Sequence, residues 1–459
     1  MGSVAHRNNA MSGDREREPL MASVPLNILD SEANRDEQRP KSIVVIVKIL
    51  YFLSGLSGST WGRYATIFYV TKGLSPFEIG FIGCICPFIQ TIGQPLWGIL
   101  SDRCRNRKGI YMATSTLATL CILSLSNDWI SDSYVKITLV ACMEAAFVSG
   151  GILDAYAIDE LKKRGKLDDY GKLRVYLAIS WGLGTCFMGY ISDDYGFGVV
   201  FWVFGIFQFI NLCVLAVFVP SHTDEEKRVG RTAEGKPRMS VLIKAMTRPR
   251  VLCLLLLLTV FGCGFGIVDR LLFVYLMQSF NASKFLCGLT VGCTVLMELP
   301  IFYYGKYVLQ RIGPQTMMTI SMCAFIVRMF GYTYLTTETV HYVLLLELMH
   351  GITFGLMWTA TISIVSQISP PGWGTATMTI VQTTLRCLGA GTGALVGGWA
   401  AEKYGFKPMF WMAGYLFCGV LAIHLLFGYM SGFELGEELH VREVKETIST
   451  TVDEEKERS

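Results

Sequence analysis

The stretch VLCLLLLLTVFGCGFGIVDRLLFVYLM, residues 251–277, is apolar along almost its whole length yet holds an adjacent acid and base, Asp269 and Arg270. About 20 consecutive apolar residues cross the hydrocarbon core of a bilayer as a helix, and this run is longer than that. A charged side chain at such depth costs about 3 kcal/mol or more unless something partners it. The stretch therefore predicts a membrane span and a partner for its charges.

Comparable apolar stretches stand at 42–70, 77–100, 109–126, 134–160, 173–192, 197–219, 250–278, 284–309, 314–336, 340–369, 373–402 and 407–429. Backbone polar groups find no water in lipid, and none of these stretches shows the short alternation of a barrel strand, so the spans are read as helices. The expected fold class is an all-α membrane protein with twelve transmembrane helices. Composition agrees: of 459 residues, 52% are hydrophobic and only 17% charged, and 46 are Gly.

Orientation follows from Lys and Arg. Arg103, Arg105, Arg107, Lys108, Lys162, Lys163, Arg164, Lys166, Lys172, Lys306, Arg311 and a basic cluster between residues 221 and 250 fall in loops on one side. The other side holds only Lys72, Lys136, Lys284, Lys403 and Lys407. Basic loops stay cytoplasmic, so both termini are expected inside. The net charge of +3 sits in these loops and gives no reason to invoke nucleic acid. The fourteen cysteines show no CxxC spacing and the six histidines are scattered, so neither metal nor cofactor is expected. With no nucleophile elbow and no phosphate-binding loop, an enzyme and an ATP-driven pump are both disfavoured.

The chain divides into a polar tail (1–41), six spans (42–220), a polar central loop (221–249), six more spans (250–430) and a second tail (431–459), with both tails read as disordered and cytoplasmic. The first tail carries EREPLM, residues 16–21, which is similar to an acidic dileucine sorting signal. A plasma-membrane or a vacuolar or endosomal location is expected. An offset of 209 superposes Gly182 on Gly391, Gly184 on Gly393, Gly189 on Gly398, Tyr195-Gly196-Phe197 on Tyr404-Gly405-Phe406, and Phe201-Trp202 on Phe410-Trp411. At 207, Gly55 meets Gly262 and Arg63 meets Arg270. Six spans per repeat is an even number, so the repeats run parallel, and parallel repeats place their substrate where they meet.

The segment GQPLWGILSDRCRNRKG, residues 93–109, resembles the G-x-x-x-D-R-x-x-R-K signature of the major facilitator superfamily, with Gly98, Asp102, Arg103, Arg107 and Lys108 in its positions and one extra residue before Arg107. In that family it serves as a gate, which implies close helix approach at Gly98 and a state-dependent latch at Asp102. Within the family the chain is similar to the MFS_1-like branch, related to lactose permease and nucleoside:proton symporters. YGKLRVYLAISWGLG (170–184) resembles the permease's fifth helix, which implies substrate-binding roles for Arg174 and Trp181, with Asp154 of LDAY as acid partner. The same resemblance implies a coupling role for Arg328 and for His350 of ELMH. Thr353 and Glu347 stand where the permease has an acid and a Lys, and Glu298 lies one turn from Val295, the position of another permease acid.

Asp269 has three readings: an interhelical ion pair with Arg386, as the resemblance implies, a pair with Arg270, or solvation near the outer interface. Glu144, Glu298, Glu347 and His350 are titratable groups in mid-span, and such groups are what a proton carrier needs. Glu347 and His350, three apart, share a helix face, with Arg328 as the natural partner. The expected function is secondary active transport of a small polar organic solute, a sugar, nucleoside or similar, coupled to protons, by alternating access and as a monomer. The competing reading is a receptor or scaffold that keeps the fold without transport.

Overall fold

The computed structural model describes residues 42–104, 106–162, 170–219, 239–370 and 373–431. The first tail with its sorting-like segment, residues 221–238 of the central loop, and the second tail beyond Ser431 lie outside these. Every regular element among the described residues is helical, and from Ile43 onward they form one unit.

In chain order the helices are α1 (Ser42–Trp61), α2 (Tyr64–Thr71), α3 (Pro76–Cys104), α4 (Arg107–Ser124), α5 (Tyr134–Phe147), α6 (Gly150–Lys162), α7 (Tyr170–Tyr195), α8 (Gly198–Phe218), α9 (Met239–Met246), α10 (Pro249–Phe280) and α11 (Lys284–Thr333). They continue with α12 (Val343–Leu348), α13 (Met357–Ile368), α14 (Gly374–Thr383), α15 (Thr392–Tyr404) and α16 (Phe406–Ser431). Among the described residues, eight helical stretches are long and apolar enough to cross a membrane. One of them, α11, has 50 residues, and a straight helix of that length would reach about 75 Å, more than twice the hydrocarbon thickness. Gly313, at φ 74° and followed by Pro314, breaks it into two, between the stretches expected at 284–309 and 314–336. Large apolar side chains such as Trp202, Phe209, Tyr303 and Ile423 stay exposed, as a lipid-facing surface requires.

The run at 251–277 lies within α10. Pro249 opens the helix, where its missing N–H matters least, and Asn281 closes it in the left-handed conformation. Four stretches expected as continuous helices are interrupted. Gly62 and Arg63 separate α1 from α2, and Val148 and Ser149 separate α5 from α6. Wider π-helical turns occupy Gly351–Leu356 and Thr384–Gly391. Inside the central loop, α9 turns Leu242, Ala245 and Met246 onto Val251.

The internal repeat is visible in the backbone. Gly196 and Gly405, one in each YGF turn, both have positive φ, at 78° and 93°. On one face of the molecule the repeats touch. A Cβ on Gly80 would lie 2.3 Å from the Ala394 carbonyl, and one on Gly398 would lie 2.4 Å from that of Pro76, so α3 and α15 meet backbone to backbone. Gly189 and Gly288 do the same for α7 and α11. At the opposite end of α3, a Cβ on Gly98 would meet no other element within 4 Å among the described residues. Among the described residues this conformation makes its glycine contacts between the repeats at the other face and none at Gly98.

Candidate functional site

The densest polar cluster joins α11 to the segment around α12. Arg328, with its side chain wholly buried, donates from Nη2 to Glu347 Oε1 (3.0 Å), from Nη1 to Thr353 Oγ1 (3.0 Å) and from Nε to the Tyr332 hydroxyl (3.2 Å). Its Nη1 also lies 3.2 Å from His350 Nδ1. Tyr332 donates to Glu347, and His350 Nε2 pairs with Glu298 Oε1 at 3.0 Å. The chain Glu298–His350–Arg328–Glu347–Tyr332 is thus continuous. Tyr332 follows Arg328 by one helical turn, which puts both on one face. The π turn beginning at Gly351 carries Thr353 back to Arg328, and such wide turns commonly sit at functional sites. Buried ions require this degree of hydrogen bonding, because an unpaired charge there is costly.

A second cluster crosses between the repeats. Arg63 Nη2 donates to Asp269 Oδ1, so the partner of Asp269 is neither Arg386 nor Arg270. The α1–α2 break projects Arg63 toward α10, while Arg386, in the π turn Thr384–Gly391, lies within electrostatic range of Asp269 and of Arg174 without an ion pair among the described residues. Arg63 also lies within electrostatic range of Glu347, which links the two clusters. Two atoms here are buried without a hydrogen-bond partner: Arg63 Nη1 and Glu347 Oε2. Arg270 packs along Gly83 of α3 and falls within electrostatic range of Glu144.

The expected pairing of Asp154 with Arg174 is not formed. Asp154 accepts a hydrogen bond from Tyr51 of α1, whereas Arg174 is exposed and lies near Arg386. Position explains this: Tyr51 is buried against α6, and Arg174 sits in the first turn after Tyr170 on the open side of α7. Trp181 is half-buried against the glycine track of α1, where a Cβ on Gly58 would lie 2.8 Å from its Cζ3. In the gate segment, the described contacts of Asn106 and Lys108 are helix caps. Lys108 Nζ donates to the carbonyls of Ala216 (2.6 Å) and Val219 (2.7 Å) at the end of α8, and Asn106 caps α4 through Gly109 N (2.8 Å). Arg103 is exposed and Arg107 half-buried, and the side chain of Asp102 lies outside the described set.

Sequence reasoning left Arg63, Tyr332 and Tyr51 unassigned. The signal for Arg63 was present, since the repeat sets it against Arg270 and an intramembrane arginine needs an acid.

The profile of the MFS_1 like family matches residues 44–412. The chain belongs to that family. Among proteins similar to this MFS_1 like chain are the uncharacterized transporter YwbF of Bacillus subtilis, 22% identical over 83% of this chain and 89% of that protein, and the sugar efflux transporter A of Dickeya chrysanthemi, 22% identical over 73% and 84%. Among solved structures, the nucleoside transporter NupG superposes with a TM-score of 0.71 at 15% identity, over 83% of this chain and 98% of that one. The fold is that of the major facilitator superfamily. The relatives are transporters and not enzymes, and this MFS_1 like chain is a membrane transporter of that type.

Proposed function

We propose that the chain moves a small polar organic solute, a sugar, a nucleoside or a solute of similar polarity, by proton-coupled alternating access, with the two repeats rocking about a site between them. The observation that carries this reading is the buried network Glu298–His350–Arg328–Glu347–Tyr332 beside the crossing pair Arg63–Asp269. Arg63 Nη1 is a buried donor and Glu347 Oε2 a buried acceptor without partners, and solute hydroxyls would accept from the first and donate to the second in a state that opens the site. Trp181 offers an aromatic face to a sugar or a base. In this scheme the Glu298–His350 pair holds the proton, and Arg328 orients Glu347 so that solute and proton act on one connected set of hydrogen bonds. Arg174 and Arg386 line the entry, and the Gly98–Lys108 segment closes the other face in the opposite state. The relatives named for sugar and nucleoside transport support the solute class.

The test is uptake into proteoliposomes from a panel of labelled sugars, nucleosides and small organic acids, with and without an inward proton gradient. Gradient-dependent uptake of a hydroxyl-rich solute is expected. Uptake of none, or of apolar compounds alone, would overturn the reading.

A further inference from the structure

On the face where the repeats touch, an acid at the end of one repeat's fifth span reaches the start of a helix in the other repeat. Asp193, near the end of α7, accepts from the backbone N–H of Lys284 (2.9 Å) and of Phe285 (2.8 Å), the first residues of α11. Lys284 Nζ returns a bond to the Ser192 carbonyl at 2.6 Å. Glu402, near the end of α15, accepts from Phe77 N of the first turn of α3 at 3.0 Å. Asp193 and Glu402 are 209 positions apart, the same offset that superposes the YGF turns, so the repeat carries the two contacts as a related pair.

Each helix start also has a cap of its own, and the cross-repeat acid takes donors this cap leaves over. In α11, Ser283 Oγ accepts from Leu286 N at 3.0 Å. Before α3, Ser75 and Glu78 form a reciprocal box, Glu78 Oε2 accepting from Ser75 N (2.8 Å) and Ser75 Oγ from Glu78 N (3.3 Å). The first turn of a helix leaves several N–H groups without intrahelical partners and carries partial positive charge, so a carboxylate from elsewhere is held there by hydrogen bonds and by the dipole. Neither helix needs the foreign acid in order to start. What the acid does is tie two helices of different repeats.

We infer that Asp193 and Glu402 are positioning residues for the transport cycle, a symmetry-related pair of latches that hold this face shut and release together when the repeats rock. Backbone contact at Gly80–Gly398 and Gly189–Gly288 gives the face its fit, while the acids supply an attraction that opening must break. The inference rests on the rocking motion proposed above, but its test needs no solute.

The test is hydrogen–deuterium exchange of the full-length protein in lipid nanodiscs, read on peptides covering 76–82 and 284–290. A charge at a helix N-terminus shifts an equilibrium by roughly two- to five-fold. Asp193→Ala should therefore speed exchange by about that factor at both peptides, including 76–82, which Asp193 does not touch; Glu402→Ala should do the same in reverse. Both acids are exposed, so neither substitution empties a core position. Ser283→Ala, which removes the cap belonging to α11 alone, should affect only 284–290. Acceleration confined to the peptide next to each mutated acid would reduce the latches to local caps and overturn the proposal, as would no acceleration at either. Uptake by the unmutated chain reports separately on transport.

Discussion

Replacing Glu347 with Leu leaves Arg328 as a cation with a wholly buried side chain and no counter-ion. Breaking a buried pair from one side costs about 3–5 kcal/mol, and the upper part of that range applies here because the Tyr332 hydroxyl loses its acceptor as well. Arg328→Met strands Glu347 in turn and should cost a similar amount. The double replacement removes both charges, so it should be more stable than the sum of the singles predicts, by about 2–3 kcal/mol. Reversible unfolding in mixed micelles, followed by tryptophan fluorescence for the four members of the cycle, measures this directly. Lys72→Ala is the control, since its partner Asp128 is almost fully exposed and the pair should not register. If the double equals the sum of the singles within about 0.5 kcal/mol, the two charges do not sense each other and the network has been misread.

Arg63→Gln and Asp269→Asn should each lower stability by about 1 kcal/mol, a modest figure because the Asp269 side chain is 45% exposed, while transport falls far more. The exchange Arg63→Asp with Asp269→Arg should recover part of the transport, and a swap no better than the worse single would remove the pair from the cycle. Gly58→Ala should displace the Trp181 ring, at an overpacking cost of about 1–3 kcal/mol, and reduce solute binding at unchanged membrane abundance; unaltered binding would place Trp181 outside the site. Asp128, outside the spans, has its carboxyl held below the usual carboxylate range by the hydrogen bond from Lys72. A depressed acid stabilises above its unfolded pKa and loses that contribution as pH falls through the lower folded value, so Asp128→Asn should leave the pH profile of transport unchanged from about pH 5 to 8. A shifted profile in that range would assign pH sensing to the loops.

Helices were legible because burying a backbone in lipid imposes a length, and twenty apolar residues announce themselves. The parallel repeat was legible for a similar reason, since the glycines of the YGF turns need φ > 0 and recur at one offset. Where each intramembrane charge finds its partner was less so. Apolar patterning says that Asp269 must be paired, but the choice between Arg63 and Arg386 depends on a two-residue break at Gly62-Arg63 that hydropathy does not register. Asp154 was assigned to Arg174 from the resemblance to the permease, whereas the phenol of Tyr51 reaches it from α1. The Arg328 cluster was anticipated from the spacing of Glu347 and His350; its closure by Thr353 depends on a π turn, and one inserted residue per turn leaves no mark on composition. The residues hardest to place thus sit beside backbone irregularities, where local rules are broken for the site.

The central claim is that one connected set of side chains binds solute and proton. Its direct measurement is the pH inside proteoliposomes, followed by a trapped dye, when a solute identified by uptake is added outside at equal pH on both sides. The account predicts internal acidification with the wild-type chain, and solute entry without acidification, or no entry, with Glu298→Gln. Solute entry with no pH change in the wild type, or acidification that persists in Glu298→Gln, would contradict it.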